Sequence, residues 1–135
     1  MTAVKALVIS ADPALREQLR VALGAVQRRT GTSWSSLEAP NGIVGLRLAW
    51  RERPDLVVAD EIASGAGAFA VAKDLRGAVE PFPGAVVLVL ARRQDAWLAE
   101  WSGADAWVIK PIDPFLLADL VAEQLERRAP HQETA

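Results

Sequence analysis

A short apolar segment that ends on a carboxylate constrains the fold of this chain most strongly. The segment Asp55–Asp60 reads Asp-Leu-Val-Val-Ala-Asp, with no polar residue between its two acids. A strand covered by helices on both faces has this pattern, because the usual alternation of polar and apolar residues disappears. Open α/β sheets place ligands and chemistry at the carboxyl ends of their strands. The segment therefore predicts a central parallel strand with Asp60 at the functional edge of the sheet.

Further apolar segments alternate with helical patterns along the chain. Strands are also predicted at Val4–Ile9, Trp34–Glu38, Ala85–Leu90 and Ala106–Ile109. Helices are predicted to start at Asp12-Pro13, at Ile43, near Phe69, at Asp95 and at Asp113-Pro114, where Asp before Pro suits a helix N-cap and first turn. Five strands that alternate with five helices imply an α/β fold with a parallel sheet and right-handed crossovers.

The segments between these elements divide the chain into one domain and a tail. Polar or glycine-containing loops are predicted at Gln27–Ser33 and Ala63–Gly67. Residues 1–128 are expected to form a single domain, since 135 residues suffice for one substantial core. Residues 129–135 are polar and are predicted to form a disordered C-terminal tail.

Composition excludes several classes of function. The chain has no cysteine, so thiolate metal sites and cysteine nucleophiles are excluded. Its one histidine, His131, falls in the predicted tail, which argues against a Ser–His arrangement with Ser10 as the nucleophile. A net charge of −2 with scattered arginines argues against nucleic acid as a partner. No membrane span or signal peptide is present, so we expect a cytoplasmic protein.

Three segments together resemble the receiver domains of response regulators in two-component signalling. They are Glu38–Gly42 (Glu-Ala-Pro-Asn-Gly), Arg53–Asp60, and Gly103–Pro111 (Gly-Ala-Asp-Ala-Trp-Val-Ile-Lys-Pro), and they occur in that family's order and spacing. The resemblance implies the doubly wound, flavodoxin-like (CheY-like) sheet with strand order 2-1-3-4-5.

The resemblance also implies roles for residues at the strand ends, and the chain departs from them. Asp60 stands at the position that accepts a phosphoryl group, and Lys110 at the position that contacts a phosphoryl oxygen. Receivers carry two acids after strand one that hold magnesium, whereas this chain has Ser10 and Ala11 there. A magnesium ion needs oxygen ligands, so the metal site is expected to be incomplete.

For two other carboxylates, those of Asp12 and Glu61, the sequence does not decide whether they could bind a magnesium ion. Asp12 is a weak candidate ligand, as is Asp60 itself, but the place of Asp12 before Pro13 favours a helix cap. Glu61, beside the acceptor position, either adds a ligand or repels a phosphoryl group, and its sequence context favours neither. The pair of Asp60 and Lys110 is expected to be a structural salt bridge more readily than a working acceptor pair.

The family's switch residues are altered as well. The position of the switch hydroxyl, at the end of strand four, is Leu90, which has no hydrogen-bond donor, and the switch aromatic corresponds to Trp107. A Trp beside a Leu favours a fixed contact over a two-state switch.

Aromatic residues suggest a surface for a partner. Trp97 and Trp101 lie four residues apart on the predicted fourth helix, and Trp107 and Phe115 come from the next strand and helix. The helix 4–strand 5–helix 5 face is the one that receivers use for dimers and partners. Exposure is expected for Trp101, while Trp97 is equally compatible with packing over the sheet edge.

These observations favour an atypical, stand-alone pseudo-receiver that acts as a protein-interaction module and is not an enzyme. Phosphorylation at Asp60 is expected to be absent or weak. The alternatives are a phosphate-accepting regulator with an incomplete magnesium site, its cofactor then being magnesium, and a small flavodoxin-like enzyme or nucleotide binder. The expected partner is a protein, either a histidine kinase, another regulator or a second copy of the chain, and not nucleic acid or a membrane.

Overall fold

Five parallel strands form one sheet in the order β2-β1-β3-β4-β5. This computed structural model describes residues 3–61 and 67–128. The strands are β1 Ala3–Ile9, β2 Ser33–Ala39, β3 Leu56–Asp60, β4 Ala85–Leu90 and β5 Ala106–Ile109. The helices are α1 Pro13–Thr30, α2 Gly42–Glu52, α3 Ala68–Gly77, α4 Ala96–Trp101 and α5 Pro114–Arg128, and a 3₁₀ turn, Arg93–Asp95, precedes α4. The predicted flavodoxin-like fold and its strand order are confirmed.

Two apolar clusters fill the spaces on either side of the sheet. Helices α1 and α5 cover one face, where Leu19 and Val121 pack against strand residues such as Val58. Helices α2, α3 and α4 cover the other face, where Leu75 and Ala99 belong to the second cluster. Every residue of β3 and β4 is buried, which explains why these two strands read as uninterrupted apolar segments.

Helix caps follow the predicted Asp-Pro pairs. The Asp12 side chain accepts a hydrogen bond from the Ala14 N–H at 2.9 Å, with Pro13 in the first turn of α1. Asp113 likewise accepts from the Phe115 N–H at 2.9 Å at the start of α5. Both carboxylates thus satisfy helix N–H groups that have no partner within the helix.

The predicted loop at Gln27–Ser33 is wrong, because α1 continues through Gln27 to Thr30 and β2 begins at Ser33. Gly31 ends the helix with a φ of 71°, and its N–H donates to the Gln27 carbonyl at 2.9 Å. The residues that suggested a loop are polar because they are exposed in the last helical turn, where Arg28 and Arg29 suit the negative end of the helix dipole.

A glycine brings α2 close to the end of β1. A Cβ atom at Gly45 would lie 2.3 Å from Ile9 Cδ1, a distance that requires the side chain or the helix to move. Ile9 immediately precedes Ser10, so this contact helps to fix the end of β1 at the edge of the sheet that holds Asp60.

Two sequence predictions lie mostly or wholly outside the described residues. These are most of the predicted loop at Ala63–Gly67 and the predicted tail at 129–135. Among residues 3–61 and 67–128, none of the helices has the length and apolar character needed to cross a membrane.

Candidate functional site

Asp60 lies at the carboxyl edge of the sheet, where three strands end together. Asp60 is the last residue of β3 and pairs in register with Val89 of β4, while β1 on the other side ends at Ile9. Ser10 follows β1 directly and Lys110 follows β5 directly. The parallel sheet therefore brings Ser10, Asp60 and Lys110 to one site, although they are separated by 50 residues at each step of the sequence.

Both carboxylate oxygens of Asp60 are engaged by side chains of the protein. The Ser10 hydroxyl donates to Oδ2 at 2.9 Å, and Lys110 Nζ lies 3.0 Å from Oδ1. The Asp60 side chain is only 2 % exposed, whereas that of Lys110 is 30 % exposed. A buried carboxylate requires such partners, since an isolated charge away from water is strongly unfavourable. The site thus balances its own negative charge with one ammonium group and one hydroxyl.

Ser10 is itself held in place by its neighbours. Its Oγ accepts a hydrogen bond from the Asp12 N–H at 3.0 Å, so the hydroxyl proton is directed to Asp60. Its carbonyl oxygen accepts from Arg16 Nη1 at 2.6 Å, and Arg16 Nε donates to Glu38 at 2.9 Å. The sequence indicates Ser10 as the replacement of a magnesium-binding acid and argues against a role as a nucleophile, and its hydrogen bond to Asp60 was missed.

The residues present do not fit a magnesium ion of the kind that receivers hold. Ser10 uses its hydroxyl on Asp60, Ala11 has no side-chain oxygen, and the Asp12 carboxylate caps α1. Among the described residues, Asp60 has both carboxylate oxygens engaged by protein groups, and the neighbouring Glu61 accepts a backbone N–H. Within the described part of the chain, no three His, Cys, Asp or Glu side chains come together as a metal-binding group.

Leu90 and Trp107 form part of the apolar packing beneath the site. Leu90 is fully buried in the second cluster, and Trp107 is partly buried against the same cluster. The Lys110 N–H donates to the Leu90 carbonyl at 2.9 Å, which ties β5 to the end of β4. Neither side chain offers a hydroxyl that points toward Asp60.

Glu61 reaches sideways to the loop that follows β4. Its Oε1 accepts a hydrogen bond from the Ala91 N–H at 2.9 Å, and its carboxyl group faces Asp95. Burial, followed by the hydrogen bond and charge of Asp95, raises the pKa of Glu61. Hydrogen bonds from Arg92 and then Glu61 lower the pKa of Asp95. Of the two roles left open for Glu61, the structure shows neither directly, because the carboxylate is engaged by the β4–α4 loop.

Exposed aromatic side chains lie on α4 and at the start of α5. Trp97 is 65 % exposed, Trp101 is 57 % exposed and Phe115 is 75 % exposed, which confirms the predicted exposure of Trp101. Lys73 Nζ, from α3, lies 4.3 Å from the centroid of the Trp101 ring, a cation–π distance. Trp107, by contrast, is partly buried and packs against the second apolar cluster. We call Trp97, Trp101 and Phe115 the aromatic surface.

A large cavity lies away from this site. It has a volume of about 840 Å³ and opens at the amino ends of the strands, beside Val4, Pro54 and the α5 residue Leu125. Because Asp60, Ser10 and Lys110 lie at the opposite ends of their strands, this groove takes no part in their chemistry.

Comparison with proteins of known sequence places the chain among signalling proteins. No model of a known protein family matches it. A response regulatory protein of Mycobacterium tuberculosis, named as uncharacterized, is 34 % identical over 129 residues, which cover 96 % of this chain and 95 % of that protein. The transcriptional regulatory protein AfsQ1 of Streptomyces coelicolor is 32 % identical over 123 residues, covering 90 % of this chain and 51 % of that protein.

Solved structures show the same fold. The receiver domain of the sensor histidine kinase PA1611 from Pseudomonas aeruginosa, which has a magnesium ion coordinated in its active-site cleft, matches with a TM-score of 0.78. The match covers 93 % of this chain and 99 % of that chain at 14 % identity. At this identity the likeness bears on the fold alone.

Proposed function

This chain belongs to the receiver-domain family of response regulators, and we propose that it is an atypical receiver in which phosphorylation at Asp60 is absent or weak. Its role is that of a protein-interaction module that signals through its surface. The observation that carries the proposal is the environment of Asp60, whose carboxylate is neutralised by Lys110 and hydrogen-bonded to Ser10.

Charge is the physical reason. Transfer of a phosphoryl group depends on positive charge that neutralises the transferred oxygens, and a divalent ion supplies it in most such sites. The receiver domain of PA1611 coordinates magnesium in its cleft. In this chain the Asp60 carboxylate at the corresponding edge already pairs with the ammonium group of Lys110. The neighbouring carboxylates are engaged as well, since Asp12 caps α1 and Glu61 accepts the Ala91 N–H. A phosphoryl group joined to Asp60 would replace the single negative charge of the carboxylate by about two. Among the described residues, the ion pair recorded for Asp60 is the one with Lys110, which balances one charge.

A second candidate function has one observation in its favour. Asp60 and Lys110 are both retained and lie 3.0 Å apart, so a phosphoryl group on Asp60 would remain close to the lysine. This supports a regulator that accepts phosphate with an incomplete magnesium site. One phosphorylation experiment distinguishes this function from that of the atypical receiver.

Incubation with acetyl phosphate and magnesium is expected to leave the mass of the protein unchanged. The reason is that no three acidic, histidine or cysteine side chains come together near Asp60 among the residues that the structure describes. Intact-mass spectrometry measures the adduct, with a magnesium-binding receiver treated in parallel as the positive control. A phosphate adduct that forms on the wild type and is absent from the Asp60→Asn variant would establish the second candidate function.

The aromatic surface is the proposed contact with a partner protein. Large exposed aromatic side chains are unfavourable in a monomer and are common anchors at interfaces. The family interacts with kinases and other regulators, so a histidine kinase, a second regulator or another copy of this chain is the expected class of partner.

Replacing Trp101 by alanine is expected to weaken partner binding by at least about tenfold, since interface tryptophans commonly carry 2 kcal/mol or more. Pull-down with purified wild type and variant measures the loss, and analytical ultracentrifugation tests whether the partner is a second copy. Val79→Ala serves as the control, because Val79 is a fully exposed apolar residue outside the aromatic surface. Equal losses for the two variants would rule out a specific role for Trp101.

A further inference from the structure

Glu61 makes a contact that the proposed function does not use. Its backbone N–H extends the β3–β4 ladder by donating to the Val89 carbonyl at 2.8 Å. This places the Glu61 side chain beside the end of β4, where Oε1 accepts the Ala91 N–H at 2.9 Å. Ala91 is the first residue of the β4–α4 loop, which we define as residues 91–95.

The same loop is closed on itself by an ion pair. Arg92 Nη2 lies 2.9 Å from Asp95 Oδ1, and Arg92 Nε donates to Asp95 Oδ2 at 3.2 Å. The Asp95 carboxyl group is buried and also faces Glu61. Glu61 therefore contacts the start of the loop through the Ala91 N–H, and its charge interacts with that of Asp95 at the end of the loop.

The loop leads directly into the aromatic surface. Helix α4 begins at Ala96, next to Asp95, and carries Trp97 and Trp101. Helix α4 has only six residues, so its position depends on the loop before it and on packing of residues such as Ala99 against the sheet. Fixing residues 91–95 therefore fixes the position of the two tryptophans.

Leu90 provides no polar link between the β4–α4 loop and Asp60, so the loop depends on another residue for its connection to β3. The residue that ends β4 has an apolar, fully buried side chain, so it cannot connect the loop to Asp60 by a hydrogen bond. Among the described residues, this loop is joined to the end of β3 by the hydrogen bond that the Ala91 N–H donates to Glu61, the neighbour of Asp60.

We propose that Glu61 is a positioning residue that fixes the β4–α4 loop and, through it, the aromatic surface on α4, independently of any group bound at Asp60. This inference rests on the proposed function, since it describes how the interaction surface is held in one arrangement. A carboxylate that accepts a backbone N–H is a charge-assisted hydrogen bond and is stronger than a neutral one. The loop is thereby held by a permanent group of the protein.

Hydrogen exchange measured by mass spectrometry on the 135-residue chain tests whether Glu61 fixes the β4–α4 loop. The Glu61→Ala variant is expected to exchange the amides of a peptide covering residues 91–96 about tenfold faster than wild type, since a hydrogen bond to a charged group is lost. Peptides from β1 are expected to be unchanged, which separates local release from global destabilisation. Glu61→Gln keeps an oxygen for the Ala91 N–H and an amide for Asp95, so its exchange is expected to stay within about twofold of wild type.

Control variants make each outcome decisive. Glu100→Ala removes an exposed acid from α4 and is expected to leave exchange at residues 91–96 unchanged. If circular dichroism shows that Glu61→Ala is unfolded, Glu61→Ser replaces it, because the serine hydroxyl is too short to reach Ala91. Wild-type exchange in a folded Ala or Ser variant overturns the proposal, as does exchange in the Gln variant as fast as in the Ala variant. The acetyl phosphate experiment measures the mass of the protein, whereas this experiment measures hydrogen exchange. Failure of the proposed function can therefore be distinguished from failure of the inference about Glu61.

Discussion

Magnesium is expected to stabilise a Ser10→Asp/Ala11→Asp double variant and to leave the wild-type chain unaffected. The substitution places two acids at the positions where receivers carry their acid pair, beside the carboxylate of Asp60. Affinity for a divalent ion rises with the number and charge of its oxygen ligands. At a concentration ten times its dissociation constant, an ion that binds only the folded state adds about 1.4 kcal/mol to the free energy of unfolding.

The same variant is expected to be less stable than wild type when magnesium is absent. Ser10 is fully buried and donates to Asp60, so an aspartate there exchanges a hydrogen-bond donor for a second negative charge. The two new carboxylates would then lie beside that of Asp60, whose charge Lys110 already balances, and like charges at close range are unfavourable. Urea unfolding with and without 10 mM magnesium chloride, a concentration of about ten times a millimolar dissociation constant, measures both effects.

A matched variant, Ser10→Asn/Ala11→Asn, separates charge from shape. Asparagine has nearly the size of aspartate but no negative charge, so this variant is expected to show no response to magnesium. If magnesium stabilised the wild-type chain as much as the aspartate variant, Asp60 and its neighbours would already bind the ion. The proposal that phosphorylation at Asp60 is absent or weak would then be wrong.

The fold was predictable because buried parallel strands leave a strong local signal. The segments at β3 and β4 contain no charged residue before their last position, and the structure buries every residue in both. The Asp-Pro pairs gave the starts of α1 and α5 for an equally local reason, since a cap acts within its own turn. The end of α1 was missed at Gln27–Thr30 because exposed helix and exposed loop have the same polar composition.

The candidate site was predictable in its position but not in its contacts. Asp60 and Lys110 follow from the ends of predicted strands, because parallel topology brings those ends together. The hydrogen bonds of Ser10 to Asp60 and of Glu61 to Ala91 join residues 50 and 30 positions apart, and no local pattern encodes them. The same holds for Lys73 over the Trp101 ring, which depends on how α3 and α4 pack.

Removing the charge of Lys110 is expected to destabilise the protein by about 2 kcal/mol at neutral pH. Lys110→Met keeps the aliphatic stem and removes the ammonium group that lies 3.0 Å from Asp60. Breaking a fully buried ion pair costs about 3–5 kcal/mol. The value here is set lower because the Lys110 side chain is 30 % exposed and water replaces part of the lost interaction. Urea denaturation of wild type and variant gives the difference.

A double-mutant cycle with Asp60→Asn assigns this loss to the pair. In the Asp60→Asn background, Lys110→Met is expected to cost less than half as much, since the amide carries no charge for the lysine to balance and still accepts a hydrogen bond from Ser10. A smaller cost in the Asp60→Asn background would assign the stabilising effect of Lys110 to its ion pair with Asp60, which is the structural role that the proposed function gives this pair. Equal costs in both backgrounds, or none in either, would leave Lys110 available for a phosphoryl oxygen and favour the phosphate-accepting regulator.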